Sequence, residues 1–212
     1  MTRPSPAHLL LLLPVAAVFA WSGWQPFDRF TWYLEIFPGV AGLIILGATY
    51  QRFRFTTLCY AFIAAHICVL CVGGHYTYAR VPLFEWLKPI FHWQRNNYDR
   101  LGHFAQGFVP ALITRELFLR LGIVQRRTWI PFLTLSVCLA ISALYELVEW
   151  WTALSSGSAA SAFLGTQGDV WDTQEDMFMA LIGASCALIF FHGLQDRAIA
   201  RLTNPMQNDK AR

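Results

Sequence analysis

The sequence has little charge for its length. Asp, Glu, Lys and Arg make up only 14% of its 212 residues, whereas soluble domains usually carry about 25%. Hydrophobic residues make up 56% of the chain, and no stretch is long and polar enough to form a sizeable soluble domain. This composition excludes an ordinary soluble enzyme and a nucleic-acid-binding module. It predicts a polytopic membrane protein whose main partner is the lipid bilayer.

Several familiar chemical motifs are also absent. The sequence has no glycine-rich phosphate-binding loop, no serine nucleophile elbow and no HExxH zinc motif. Its five cysteines lie inside apolar runs, where cysteine usually packs as a small hydrophobic residue. Cys68 and Cys71 form a CxxC with His75 four residues later, but one such pair in a helix is a weak sign of a metal or redox site. Any chemistry is therefore expected from other side chains.

Long apolar runs, by contrast, are abundant. Six stretches reach the length of about 20 residues that spans a bilayer. They lie near residues 8–27, 31–50, 57–75, 100–120, 129–151 and 175–194. The sequence therefore predicts an all-α polytopic membrane helix bundle of about six transmembrane helices. Residues 1–203 would form a single transmembrane domain, followed by a disordered cytoplasmic tail over 204–212. The first stretch also has the pattern of a signal peptide, but aromatic residues continue it beyond the cleavage site at Ala20, which favours an uncleaved span.

The distribution of Lys and Arg predicts the orientation of these spans. With the N-terminus inside, eleven of the 16 basic residues lie at the cytoplasmic face, and both termini are cytoplasmic. Ten of the 13 acidic residues then lie at or beyond the outer interface. Residues 76–98 alternate aromatic and charged side chains, which predicts a short amphipathic helix on the outer surface. We therefore expect any chemistry at the outer end of the bundle.

Acidic and imidazole side chains recur at these predicted outer helix ends. Asp99, His103 and Gln106 are spaced i, i+4 and i+7, so they share one face of the fourth span. Charges at membrane depth are costly and are kept mostly where they pair, bind ions or react. Further side chains are expected at the same level: Glu35, His75, Tyr145, Glu146, Glu149, Asp169, Asp172, Glu175 and Asp176.

Carboxylates brought together repel one another, and a bound divalent cation resolves that repulsion. A mixed set of carboxylates and imidazoles suits Zn, Mn, Fe or Mg. The predicted metal ligands are Asp99, His103, Glu146, Asp172, Asp176 and His75. Glu149 and Glu146 are the predicted catalytic residues, with Glu149 as the general base for a metal-activated water. A second tier comprises Glu35, Asp169, Glu175, Gln106 and Tyr145.

This set of residues predicts a metal-dependent hydrolase or transferase that acts on a lipid-linked or envelope substrate at the outer leaflet. Two other functions stay open, an ion- or proton-coupled transporter and a non-catalytic membrane scaffold that docks a partner through residues 76–98. The oligomeric state is not specified by the sequence.

The same acidic residues also have structural interpretations. Acids in the first turn of a helix are favoured by the helix dipole, and Asp172 with Glu175 fits a capping box. Arg95 or Arg100 could instead pair with the acids of the fifth span and form a purely structural ion network.

Four segments of the chain resemble a known family. They are GGHYTY at 73–78, NNYDRLGHFAQGF at 96–108, LYELVEWW at 144–151 and GTQGDVWDTQEDM at 165–177. They resemble the bacterial family typified by the inner membrane protein YjdF. The resemblance covers nearly the whole chain, and it implies a multi-pass protein of the bacterial inner membrane with a cytoplasmic C-terminus. It brings no catalytic residues with it, so the functional prediction rests on the acidic and histidine residues themselves.

Overall fold

The computed structural model describes residues 4–156, 161–164 and 166–203, and the tail predicted over 204–212 lies outside them. Every regular element in these residues is helical, which confirms the all-α prediction. The helices are α1 (Pro6–Gly23), α2 (Arg29–Thr49), α3 (Thr57–Tyr76), α4 (Pro82–Phe91), α5 (Tyr98–Leu121), α6 (Ile130–Ser156), α7 (Ser161–Leu164), α8 (Asp172–Phe190) and α9 (His192–Thr203). A short 3₁₀ turn, Arg127–Trp129, leads into α6. Each of the six apolar stretches thus contains a helix.

Not all of these helices are apolar enough to cross a membrane. In the described part of the chain, α1, α2, α3 and the segment Arg127–Ser156 pass by length and composition. A fifth span results if α8 and α9, which meet at a 63° bend, are counted together. Helix α5 is not among them. Its polar residues His103, Gln106, Arg115 and Glu116 lower the mean hydropathy of its central part. The structure therefore supports four or five spans, and the six-span arrangement stays a prediction.

The last predicted span, 175–194, is interrupted. Helix α8 ends at Phe190 and the chain turns into α9, which holds Gln195 in the interior. The fully buried Gln195 amide donates to the Leu112 carbonyl at 2.6 Å and accepts from Arg115 at 3.0 Å. These polar contacts hold α9 against α5, so the helix direction changes where a straight apolar span was expected.

The helix expected within residues 76–98 forms as α4. Pro82 occupies its first turn, where a missing backbone N–H is tolerated. The buried Asn96 Nδ2 donates to the Val81 carbonyl at 3.1 Å and to Glu85 Oε1 at 2.9 Å. These bonds fix α4 to the start of α5. The location of α4 on the outer membrane surface stays a prediction.

The bundle is built around α3 and α5. Helix α3 packs against α1 and α2, while α5 packs against α3, α6 and α8. Cys59, Cys71 and Cys138 are buried in the core, and all five cysteines of the chain are free. This arrangement agrees with cysteine acting as a small packing residue.

Helices α5 and α8 approach each other unusually closely. A Cβ atom at Gly107 would lie 1.8 Å from the Ala180 carbonyl oxygen, and one at Gly183 would lie 2.0 Å from the Phe104 carbonyl oxygen. Only glycine permits such contact between helix backbones. One turn before this crossing, the two helices carry His103 and Asp176. The glycines therefore determine how close the candidate site residues come.

Candidate metal centre

His103 stands among acidic side chains from three helices. Its Nε2 atom lies 3.6 Å from Asp99 Oδ1 on α5 and 3.7 Å from Asp176 Oδ2 on α8. Glu146 Oε1 on α6 lies 3.9 Å from the same nitrogen. None of these separations is a hydrogen bond, for which about 2.7–3.2 Å is required. The imidazole nitrogen therefore faces carboxylate oxygens without bonding to them.

The other ring nitrogen fixes the state of this histidine. His103 Nδ1 lies 2.9 Å from Gln106 Oε1. An amide oxygen only accepts hydrogen bonds, so Nδ1 carries a proton and donates. In the neutral imidazole this leaves the Nε2 lone pair directed at the carboxylates. A metal-binding histidine is usually oriented by a hydrogen bond from the ring nitrogen that does not bind the metal.

The acids around His103 are buried and incompletely paired. His103, Glu146 and Asp176 are 5%, 8% and 2% exposed. Glu146 Oε1 and Asp176 Oδ1 have no hydrogen-bond partner among the described residues. Buried carboxylates without partners must be protonated or neutralised by a cation. A cation bound among these carboxylates would neutralise them.

The spacing of the possible ligand atoms agrees with a metal ion. Asp99, His103 and Asp176 offer one atom each, all within 4.8 Å of one another. Bonds of about 2.0–2.2 Å at tetrahedral angles separate ligand atoms by roughly 3.3–3.6 Å. The observed 3.6 and 3.7 Å from His103 Nε2 are close to that range. Three protein ligands with one open position is the usual pattern of a catalytic zinc site.

A second group of possible ligands shares the same imidazole. His103, Glu146 and Glu149 also offer atoms within 4.8 Å of one another. Glu149 is less buried than Glu146 and borders a large cavity. Tyr145, which borders the same cavity, donates to Glu35 Oε2 at 3.1 Å. The two predicted catalytic glutamates thus stand next to the proposed ligands, and the second-tier residues Glu35 and Tyr145 line the approach to them.

The remaining predicted acids are held by two arginines. Arg95 contacts Asp172, Asp169 at 3.3 Å and Asp99 at 3.6 Å. Arg100 contacts Glu175 and lies 3.4 Å from Asp169. An ion network therefore forms, but its acids are Asp99 and those that precede and begin α8 rather than the predicted acids of the fifth span.

The capping-box interpretation of Asp172 is wrong. Helix α8 has Trp171 as its N-cap, with no side-chain capping bond, and Asp172 is its first residue. The carboxylate of Asp172 binds Arg95 instead. Asp172 therefore lies beside the proposed ligand set, and it supports the site through the guanidinium group that it shares with Asp99.

The segment before α8 is tied to the start of α5. Gln167 Oε1 accepts from the Asn96 backbone N–H, and Gln167 Nε2 donates to the Asn96 carbonyl, both at 2.9 Å. Asp169 accepts from the Trp171 backbone N–H at 2.9 Å. That bond, with Arg95 and Arg100 nearby, keeps the pKa of Asp169 below its ordinary 3.8. Residues 166–171, which we call the strap, thus fasten α8 to α5 at the end that carries the site.

His75 is not brought to this group. Its Nδ1 donates to the Ser22 carbonyl at 2.9 Å, and its ring packs on Trp21 at a centroid distance of 4.4 Å. These contacts join α3 to the end of α1. His75 therefore has a structural environment where α3 meets the end of α1.

A cavity of about 710 Å³ borders the site. Asp99, His103, Glu149, Glu35 and Tyr145 lie at one end of it. Residues of α2, α3, α5 and α6 form its walls, which are mainly apolar, and Arg52 lies at the far end. We call this cavity the groove. A pocket of this size with a few convergent polar groups is typical of ligand-binding sites.

Two contributors to the site were not predicted. The sequence indicates Arg95 only as a partner in a structural ion network, whereas in the structure it lies 3.6 Å from Asp99, a proposed ligand. Tyr78 fits against Gly73 and Gly102 and borders the groove, in a backbone conformation with a positive φ of 53°. The GGHYTY segment contains both Gly73 and Tyr78, but its spacing gives no indication that the ring folds back on the glycine.

Comparison with known proteins places the chain among membrane proteins. Residues 7–197 match the family described as "Predicted membrane protein (DUF2238)". The chain is 45% identical over 194 residues to the inner membrane protein YjdF of Escherichia coli (strain K12), covering 90% of this chain and 93% of the relative. No solved structure matches. Together with the apolar helices, these likenesses support a membrane protein of the inner membrane.

Proposed function

We propose that this chain, which belongs to the DUF2238 family of membrane proteins, is a metal-dependent hydrolase or transferase acting on a lipid-linked or envelope substrate. The observation that carries the proposal is the placement of His103 Nε2 within 3.6 and 3.7 Å of two carboxylate oxygens without a hydrogen bond. One imidazole and two carboxylates favour Zn, Mn or Fe.

The side chains divide into distinct roles in this proposal. Asp99, His103 and Asp176 hold the ion, and Gln106 orients the histidine. A bound ion would lower the pKa of a water molecule toward about 7 and so make it a nucleophile at neutral pH. Glu149 accepts a proton from that water, and the proton then passes to the leaving group. Glu146 lies beside both His103 and Glu149, so it helps to position them.

Metal analysis of the purified protein tests the proposal. We expect about one divalent ion per chain after purification without added chelator, and less than a tenth of that in Asp99→Ala and His103→Ala. Asp209→Ala, which changes an acid far from the site in the sequence, is the matched control and retains the ion. Folded protein without stoichiometric metal would reject the proposal.

Transport is the second candidate, because the groove is long. It continues from Asp99 along α5 to Leu121, a distance of about 33 Å at 1.5 Å per residue. This approaches the thickness of the hydrocarbon core, about 30 Å. Substrate-driven flux in proteoliposomes that is lost in Asp99→Asn, without turnover of any lipid, would favour transport over catalysis.

The proposed orientation puts the metal site at the outer face, with six spans and both termini in the cytoplasm. Its support is the excess of basic residues near the C-terminal end of α5. Arg115 and Arg120 lie there, and Arg120 donates to the Arg54 carbonyl, whereas Asp99 and Arg100 offset each other near the start of the helix. Basic residues concentrate on the cytoplasmic side of inner membrane proteins. Helix α5 can form the sixth span despite its polar residues, because those residues face other helices and not lipid.

A further inference from the structure

The walls of the groove are apolar along most of its length. Helix α2 contributes a continuous stripe at i, i+3, i+4, i+7, i+10, i+11 and i+14, from Glu35 to Thr49. Between these two residues, every member of the stripe is apolar or glycine. Facing it on α5, the residues beyond Gln106 are also apolar: Val109, Pro110, Ile113, Leu117 and Leu121. Only the end at Asp99 and the far end at Arg52 carry charge. This pattern fits an amphiphile with one polar group and one long apolar chain.

Glycine makes room for such a chain. A Cβ atom at Gly42, midway along the α2 stripe, would meet no atom within 4 Å. Ile45 on α2 and Ile141 on α6 line the groove and are 61% and 39% exposed. In a bilayer these exposed residues face acyl chains. The groove therefore has a side through which a lipid tail can enter from the membrane.

One polar side chain interrupts the apolar wall on α3. His66 borders the groove, and its Nε2 atom is buried without a hydrogen-bond partner among the described residues. Tyr98 donates to the Val69 carbonyl at 3.0 Å, and Glu116 accepts from Thr56 N at 2.9 Å, so α3 runs antiparallel to α5. This register places His66 at the level of His103. An unused imidazole thus faces the groove at the depth of the proposed metal centre.

We propose that the groove binds the acyl chain of an ester-linked membrane lipid, with the ester group held between His103 and His66. This inference rests on the proposed function and assigns its substrate class. An ester carbonyl accepts a hydrogen bond from His66, while the chain lies along α2 and α5 toward Arg52. In hydrolysis, the water oxygen bonds to the carbonyl carbon and the carbon–alkoxy bond breaks. The proton that Glu149 removes from water goes to the departing alkoxide, giving an acid and an alcohol.

Photo-crosslinking in proteoliposomes tests the binding of the chain. The probe is phosphatidylglycerol with a diazirine in one acyl chain, in vesicles of phosphatidylethanolamine and phosphatidylglycerol. We expect crosslinks at groove residues such as Ile113, reduced at least about fivefold in Gly42→Phe, since the new ring fills the groove. Gly47→Phe is the matched control. Gly47 lies on the same helix with no atom within 4 Å of a Cβ, but borders a different cavity, and its crosslinks should be unchanged.

Competition with unlabelled lipids tests the role of His66. Ester-linked phosphatidylglycerol should compete roughly tenfold better than its ether-linked analogue, which lacks the carbonyl acceptor. In His66→Leu the two should compete equally. The proposal is overturned by crosslinks unaffected in Gly42→Phe, by equal competition in the wild type, or by stronger competition from a polyprenyl phosphate.

A chelator separates this proposal from the proposed function. Binding in the groove depends on shape and on His66, so crosslinking should persist within about twofold after metal removal. Crosslinks in protein that carries no metal as purified, before any chelator is added, would support the groove and reject the metal centre. A stoichiometric ion without groove crosslinks would reject the substrate class and leave the metal centre intact.

Discussion

At the scale of single residues, the candidate site depends on the state of His103. The bond from Nδ1 to Gln106 leaves Nε2 free to face Asp99 and Asp176. In the neutral imidazole, a lone pair directed at two carboxylate oxygens is repulsive unless a cation or a proton lies between them. The geometry around His103 therefore favours a bound cation.

Loss of the hydrogen bond between His103 and Gln106 should weaken metal binding although all three proposed ligands remain. We expect Gln106→Leu to bind the ion about 10–100-fold more weakly, because the imidazole loses the partner that fixes its orientation. Gln106→Glu keeps an acceptor oxygen and should retain most of the affinity. Competition against a fluorescent chelator measures both. Equal affinity in wild type and Gln106→Leu would show that the His103–Gln106 bond does not serve the metal.

Asp169 predicts a pH dependence of stability. Its pKa is lowered in the folded state, first by the Trp171 N–H and then by the neighbouring arginines. The stabilisation it gives is therefore complete above its ordinary 3.8 and is lost as the pH falls through the lower folded value. From about pH 5 to pH 2, the melting temperature of the wild type should fall more steeply than that of Asp169→Asn. Parallel curves would contradict this role.

At the scale of helices, the site depends on the close crossing of α5 and α8. Gly107 and Gly183 contact the backbone of the opposite helix. His103 lies one turn before Gly107, and Asp176 lies two turns before Gly183. The strap adds a second connection at the same end through Gln167. Together these contacts bring ligands from separate helices to one point.

A side chain at the crossing should separate the two helices. We expect Gly107→Ala to lower the free energy of unfolding by about 1–3 kcal/mol or more, because the added methyl group overlaps a carbonyl oxygen. Gly47→Ala, where the methyl group has open space, should be neutral or stabilising by up to about 1 kcal/mol. Thermal unfolding in detergent compares the two variants. Similar melting temperatures would show that α5 and α8 are less tightly packed than described.

Some of this site could be predicted from sequence and some could not. The spacing of Asp99, His103 and Gln106 is a local property of one helix, and the structure places them as that spacing requires. A common depth in the membrane predicts that Asp176 and Glu146 lie near His103. In the structure they do, because both also lie on helix faces that point toward it. For His75 the same reasoning failed, since depth does not specify the face. The partner of Asp172 is Arg95, 77 residues away, and no local spacing indicates that pair.

At the scale of the whole molecule, the structure is a helical membrane protein with its polar groups divided between two ends. The end with His103 is acidic, and the opposite end contains a fully buried Glu116 that accepts from Thr56 and Arg120. Every oxygen of Glu116 is paired there, whereas Glu146 and Asp176 have unpaired oxygens. This contrast separates a structural acid from acids suited to bind a ligand.

The proposed orientation can be tested with single cysteines. Val170→Cys and Thr203→Cys introduce thiols at exposed positions, and the native cysteines are free but lie within helices. A maleimide that cannot cross the membrane should label Val170→Cys in intact spheroplasts, and Thr203→Cys only after lysis. The positive-inside distribution is the physical reason. The reverse labelling pattern would place the acidic site in the cytoplasm and reject an outer-leaflet substrate.

The most direct test is an experimental map of the protein in a nanodisc, prepared with divalent metal in the buffer. We predict a density peak about 2.0–2.2 Å from His103 Nε2 and from a carboxylate oxygen of Asp99 and of Asp176. A map that shows these three side chains hydrogen-bonded to one another or turned apart, with no peak between them, would contradict it.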